Sequence, residues 1–265
     1  GVLTPICAPS ASGRILQWFQ TYEYVRNFLS RYAWMRVDGL LLISGAFGCY
    51  RRQPLLEVGG FDPDCLVEDY ELTHRLRDHA VRRGQVWHTA VVGGSHARTD
   101  APATVGAFLR QRRRWFGGFL QTQLWYRHMV GNPGYGRLGT MMLPVKAIDT
   151  LQPLYGLTGA VLLLGYLATG QFALVVPVAG VIVAKIALDL AFYLWSLHLY
   201  RRWLGHSSGL HLVPAIFAAL MEPFTFQLLR HSGAALGWVS FLTGSRSWGK
   251  QDRLALIVPL TRQGR

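Results

Sequence analysis

The chain has 265 residues, 51% of them hydrophobic and only 15% charged, and a formal net charge of +13. So apolar a composition argues against an ordinary soluble domain and for a chain that meets a membrane. The charge is carried almost wholly by arginine, since only Lys146, Lys185 and Lys250 are lysines, and arginines placed beside tryptophans and before apolar runs argue against nucleic acid and for a membrane face or a phosphate-bearing substrate. The three cysteines, Cys7, Cys49 and Cys65, are odd in number and lack metal-ligand spacing. Neither a disulfide framework nor a zinc site is expected, and reduced thiols suit a cytosolic region.

The chain divides near residue 140, with most of the acids before it and long apolar stretches after it. In the first part, Gly13 to Met35 reads as an amphipathic helix carrying Trp18, Tyr22 and Phe28. Leu40 to Tyr50 reads as a buried strand turning at Ser44-Gly45. Arg51 to Val58 is a short helix that Gly59-Gly60 stops. Glu68 to Ala80 is a helix with Leu72, Leu76 and Ala80 on one face. Gln85 to Val92 reads as a strand, and Thr104 to Tyr126 as a long helix with four arginines at its centre. That order predicts an α/β domain, one too short to be complete.

In the second part, Thr150 to Thr169 is long and apolar enough to cross a bilayer. Gly170-Gln171 breaks it from a second span, Phe172 to Tyr200, which Arg201-Arg202 closes. By the positive-inside rule that end is cytoplasmic, so the tight turn between the spans faces outward. His211 to Gly244 is too long for one simple span, and Glu222-Pro223 and Arg230-His231 interrupt it. Lys185 and Asp189, four residues apart inside a span, can pair with each other or mark a translocation path. Trp238 and Trp248 read as interfacial anchors, and a basic tail (Arg246, Lys250, Arg253) as cytoplasmic.

Two stretches can carry chemistry. Glu68-Asp69 opens a predicted helix, where acids cap the exposed amides and complement the dipole. The same position keeps a carboxylate ionised, as a general base requires. In Arg110 to Trp115, a basic face resting on lipid headgroups is one reading. Yet Gln111, Arg114 and Trp115 share one helical face, and an amide, a guanidinium and an indole suit a pyrophosphate and a sugar.

Together these stretches resemble the processive, membrane-bound family 2 glycosyltransferases, a group that includes cellulose, chitin, hyaluronan and poly-N-acetylglucosamine synthases. Ser44-Gly45-Ala46 with Arg51-Arg52 looks like the acceptor strand and the start of the next helix. Val58 to Asp62 looks like the family's glycine turn. Glu68-Asp69 looks like the acid pair of the TED motif, with Val67 where threonine is usual. Gln111, Arg114 and Trp115 match QxxRW in full, forty-two residues after Asp69.

The resemblance implies a partial GT-A-like α/β domain over residues 1–103. Amphipathic, interfacial helices bearing QxxRW follow over 104–149, and transmembrane helices with a basic tail over 150–265. It implies an inverting hexosyl transfer from a nucleotide sugar to a growing polysaccharide at the cytoplasmic face of a bacterial inner membrane. Asp69 would be the base and Glu68 its support, with Ser44, Gly45, Gln111, Arg114 and Trp115 binding substrate. Single transfer onto a lipid carrier or glycolipid is the second reading, and a non-catalytic channel or assembly subunit the third; accessory secretion subunits are possible partners. A divalent cation (Mg or Mn) is expected for the full-length enzyme. Its Asp-x-Asp ligands are absent before Ser44, where Asp38 is the sole aspartate, so they are expected on an N-terminal half preceding Gly1 or, as the alternative, on a separate partner chain. Asp62-Pro63-Asp64 has the letters of that motif but reads as a turn.

Overall fold

A computed structural model describes residues 2–6, 11–92, 96–204 and 212–244. Two short strands, β1 (Val2–Ile6) and β2 (His96–Asp100), pair in parallel with Val2 opposite His96. Between them run α1 (Ala11–Arg36), α2 (Arg52–Glu57) and α3 (Glu68–Arg82). After β2 come α4 (Val105–Trp125), a π-helical turn (Leu138–Met142) and α5 (Leu143–Asp149). Then come α6 (Gln152–Ala168), α7 (Phe172–Leu204), α8 (Leu212–Met221) and α9 (Phe226–Leu242). The basic tail and Trp248 lie outside the described residues.

The helices fall where their sequence signals put them. Thr104 caps α4, its Oγ1 accepting the Ala107 amide at 3.2 Å. Gly59 and Gly60 end α2 with φ of 83° and 78°, a conformation that costs glycine little. Asp62-Pro63-Asp64 is a turn, with Asp62 Oδ1 accepting the Asp64 amide at 2.9 Å.

The two expected strands are corrected. Leu40 to Tyr50 is irregular, with one 3-10 turn at Gly45–Phe47, and Gln85 to Val92 is also irregular. A strand needs a ladder partner for its backbone groups. Here the groups are met otherwise: Thr89 Oγ1 donates to the Leu40 carbonyl at 2.7 Å, and the Val91 amide reaches Met35 Sδ at 3.0 Å. The strand that does form, β2, lies beyond the expected one and pairs with β1, a segment where no strand is expected from the sequence. Among the described residues the expected α/β layering is reduced to this pair, and helices dominate.

Two cores organise the helices. In one, Leu16, Phe19 and Tyr22 of α1 pack on Phe108 of α4, Tyr193 and Leu197 of α7, Ala215 and Ala218 of α8 and Phe226 of α9. In the other, Leu41, Cys65, Val67 and Tyr70 pack on Met129, Leu138 and Met142, with Trp115 and Phe119 of α4 at its edge. Helices α4 and α9 touch nearly backbone to backbone. A Cβ on Gly237 would stand 2.9 Å from both the Arg113 carbonyl oxygen and the Gly117 nitrogen. Small residues at a helix crossing permit this approach.

Leu138–Ala168 and Phe172–Arg202 are long and apolar enough to cross a membrane. Their outer faces are apolar and open, with Val161 68%, Val176 71% and Leu188 73% exposed. Exposure on that scale suits lipid rather than water. The pair α8 and α9 is long and apolar enough only if taken as one span, and it bends by 48° where Glu222–Phe224 forms a 3-10 turn. Pro223 and the unusual backbone of Thr225 (φ −130°, ψ −84°) account for the break foreseen at Glu222-Pro223. Lys185 does pair with Asp189. The Trp238 indole N–H donates to the Thr150 carbonyl at 2.9 Å, stapling α9 to the start of α6.

Candidate active site

The first turn of α3 carries Glu68 and Asp69, and the middle of α4 is packed beneath it. The fit depends on Gly118, where a Cβ would stand 2.5 Å from Val67 Cγ2. Side chains on the same stretch of α4 hold the loop entering α3. Arg114 Nη1 donates to the Leu66 carbonyl at 3.0 Å. Gln121 accepts from the Leu66 amide at 3.3 Å and donates to the Asp64 carbonyl at 3.2 Å. Arg114, Gly118 and Gln121 recur at helical spacing, so one face of α4 does this work.

Asp69 is half-buried and both its oxygens are engaged. Oδ1 accepts the amide of its neighbour Tyr70 at 2.8 Å; the helix's N-cap is Val67, which makes no side-chain cap bond, so neither acid caps α3 as expected. Oδ2 accepts the amide of Gly45 at 2.6 Å. The Ser44-Gly45 turn therefore sits directly on the carboxylate, and a Cβ at Gly45 would come within 3.1 Å of Oδ2. Ser44 contributes backbone alone to its turn: its carbonyl accepts the Phe47 amide at 3.0 Å, and its side chain makes no capping bond. One Glu68 oxygen, Oε2, is buried and takes no protein hydrogen bond among the described residues.

Arg114 lies within the electrostatic field of both acids. Burial lowers the pKa of its guanidinium, and Glu68 and Asp69 oppose that. An arginine stays charged regardless, so the site places one fixed cation against two carboxylates. Gln111, one turn earlier, is buried, and its Oε1 has no protein donor among the described residues. Trp115 packs half-buried against the core that holds Val67 and Tyr70, with the Arg112 guanidinium 4.5 Å from its ring centre.

Three further residues join the site. Arg31 of α1 is drawn down in pKa by burial and held up by Tyr24 and by Asp69, which places it within electrostatic reach of the base candidate. Tyr50, after the Ser44-Gly45 turn, is pushed up to about 12 by burial and then by Asp69. Gln121 is the third. Only Gln121 left a signal in the sequence, because it continues the Gln111 and Arg114 face by two more helical turns.

Glu71, next along α3, faces away from this cluster. It takes two hydrogen bonds from Arg75 (3.0 and 2.6 Å) and one from the Tyr126 hydroxyl (2.6 Å). Arg75 also donates to the Val58 carbonyl at 2.6 Å, pinning the glycine turn to α3. Among the described residues no three His, Cys, Asp or Glu side chains converge to hold a metal ion. These residues do not build the divalent-cation site that the resemblance implies.

The arrangement offers an oriented carboxylate, a cation within its field and a backbone turn that can bring a hydroxyl close. It suits abstraction of a proton beside a developing negative charge. No curated protein and no solved structure matches the chain. The family model described as Glycosyl transferase family group 2 matches residues 1–243, nearly the whole length. The chain belongs to that family and is a glycosyltransferase.

Proposed function

We propose that this enzyme transfers a hexosyl unit from a nucleotide sugar to a growing polysaccharide, with inversion, at the cytoplasmic face of a bacterial inner membrane. In that reaction an acceptor hydroxyl oxygen attacks the anomeric carbon as the bond from that carbon to the nucleoside diphosphate breaks. The hydroxyl proton passes to Asp69. A sugar hydroxyl is a far weaker acid than a carboxylic acid, so the proton moves in concert with attack. Arg114 meets the charge that grows on the leaving diphosphate. Glu68 supports Arg114 electrostatically, Gln111 lines the same face, and Trp115 forms part of the acceptor platform. Ser44 and Gly45 carry the acceptor past the base.

The observation that carries this reading is the seat of Asp69. Its carboxylate is fixed by the Gly45 amide at 2.6 Å on one side and lies in the field of Arg114 on the other. The polysaccharide product rests on QxxRW and on the apolar helices that follow α4.

The test is Asp69→Asn in the full-length enzyme in membranes, assayed with radiolabelled nucleotide sugars. Asparagine keeps the shape and an acceptor oxygen but cannot take the proton. Transfer should fall by roughly a hundredfold to ten-thousandfold. Unchanged transfer would remove Asp69 as the base. Chains of many added sugars in the wild-type reaction are the expected product, and one sugar per acceptor would end the processive reading.

A further inference from the structure

Helix α1 lies far in sequence from the QxxRW helix yet reaches into its centre. Glu23 and Arg26 stand three residues apart on α1, so they share a face. Glu23 is buried, and its carboxylate takes two parallel hydrogen bonds from Arg112, at 2.7 and 2.6 Å. Its Oε1 also lies 3.6 Å from Nη1 of Arg230 on α9. Arg26 binds Glu222 at 2.5 Å, at the break between α8 and α9. Burial alone would raise the Glu23 pKa, but Arg112, Arg230 and Arg26 outweigh it and hold the carboxyl below its ordinary range.

Arg112 is thereby committed within the fold. Its guanidinium sits 4.5 Å from the ring centre of Phe108 and 4.5 Å from that of Trp115. Two parallel bonds to one carboxylate fix the guanidinium plane, and a fixed cation against an indole face restrains the indole. The stem of Arg112 is confined too: a Cβ at Gly233 of α9 would stand 2.5 Å from Arg112 Cβ.

We infer that Glu23 is a positioning residue for Trp115, acting through Arg112. Glu23 sets the plane of the guanidinium, and the guanidinium sets the tilt of the indole. The consequence for transfer rests on the reading of Trp115 as acceptor platform; the positioning itself does not.

Full-length enzyme labelled with 5-fluorotryptophan gives the test. The Trp115 fluorine resonance is assigned by its loss in Trp115→Phe. In Glu23→Gln that resonance should move while those of tryptophans distant from Arg112 hold, and Glu23→Asp should bring it part of the way back. Arg112→Lys keeps the charge facing Glu23 but loses the planar fork, and it should move the same resonance. An unmoved Trp115 resonance in Arg112→Lys would overturn the inference, and this variant decides the matter if Glu23→Gln fails to fold. Nucleoside diphosphate release from UDP-glucose and UDP-N-acetylglucosamine is followed in the same proteins. Release that survives Trp115→Phe and Trp115→Ala unchanged would sink the platform reading alone, and the resonance would still report on the positioning.

Discussion

The amide of Gly45 donates to Asp69 Oδ2 at 2.6 Å, so the residue proposed as base is aimed by a backbone group twenty-four residues upstream. A side chain at Gly45 would press on that carboxylate, since an ideal Cβ falls 3.0 Å from Asp69 Cβ and 3.1 Å from Oδ2. Gly45→Ala should therefore displace the carboxylate by a few tenths of an ångström. Turnover should drop about tenfold to a hundredfold, because proton transfer depends steeply on position. Gly45 is exposed, so the melting temperature in detergent should barely change. A large loss of stability with proportionate loss of turnover would mean that the turn matters for folding rather than for aim.

A second glycine governs how α3 sits on α4. At Gly118 an added Cβ would meet Val67 Cγ2 at 2.5 Å and Cγ1 at 2.8 Å. Gly118→Ala should cost about 1–3 kcal/mol by overpacking. The closest clash is with the buried Val67 side chain, Leu66 Cβ standing next at 3.1 Å, so Val67→Ala in the same protein should recover much of the loss. The two substitutions should be strongly non-additive in a double-mutant cycle read by thermal unfolding. Additive losses would mean that α3 and α4 separate rather than jam.

His74 gives the protein a pH dependence unconnected with catalysis. It is fully buried in α3, its Nδ1–H donates to the Tyr70 carbonyl at 2.9 Å, and burial lowers its pKa to about 4. In the unfolded chain the imidazole titrates near 6.5. Between those values the unfolded state binds the proton and the folded state does not. The His74 contribution is therefore fully present above about pH 6.5 and lost as pH falls toward about 4, and it amounts to something on the order of 3 kcal/mol. In His74→Gln the fall in melting temperature between pH 6.5 and 4 should be shallower than in the wild type. Parallel curves would assign the acid sensitivity to other groups.

Much of the helical frame was legible in the sequence because its punctuation is local. Thr104 marks the start of α4 and Gly59-Gly60 the end of α2. Leu40 to Ile43 misled because a short apolar run reads alike whether it feeds a sheet or lies buried beside helices. Periodicity says which face is apolar but not what will cover it. In the site, Asp69 and Arg114 were visible as residue types at helical positions. The Gly45 contact was not, since a backbone amide leaves no mark in side-chain identity. Arg31, and the pairing of Glu23 with Arg112 eighty-nine residues apart, depend on tertiary packing that no local spacing encodes.

Lys185 and Asp189 allow the two readings of an intramembrane ion pair to be separated. They are one helical turn apart on α7, joined to each other, and each is partly exposed. Removing one partner strands a charge in an apolar span, a loss of about 2.5–3.5 kcal/mol at a helix centre. Removing both leaves an apolar surface, which is often neutral or stabilising. Lys185→Met and Asp189→Leu should each lower thermal stability in detergent, and the double variant should regain it. If the pair serves structure alone, the double variant should also match wild-type polymer synthesis in vesicles. Restored stability with synthesis still lost would instead place the pair on the path of the product, because a neutral, well-packed replacement would have removed nothing else.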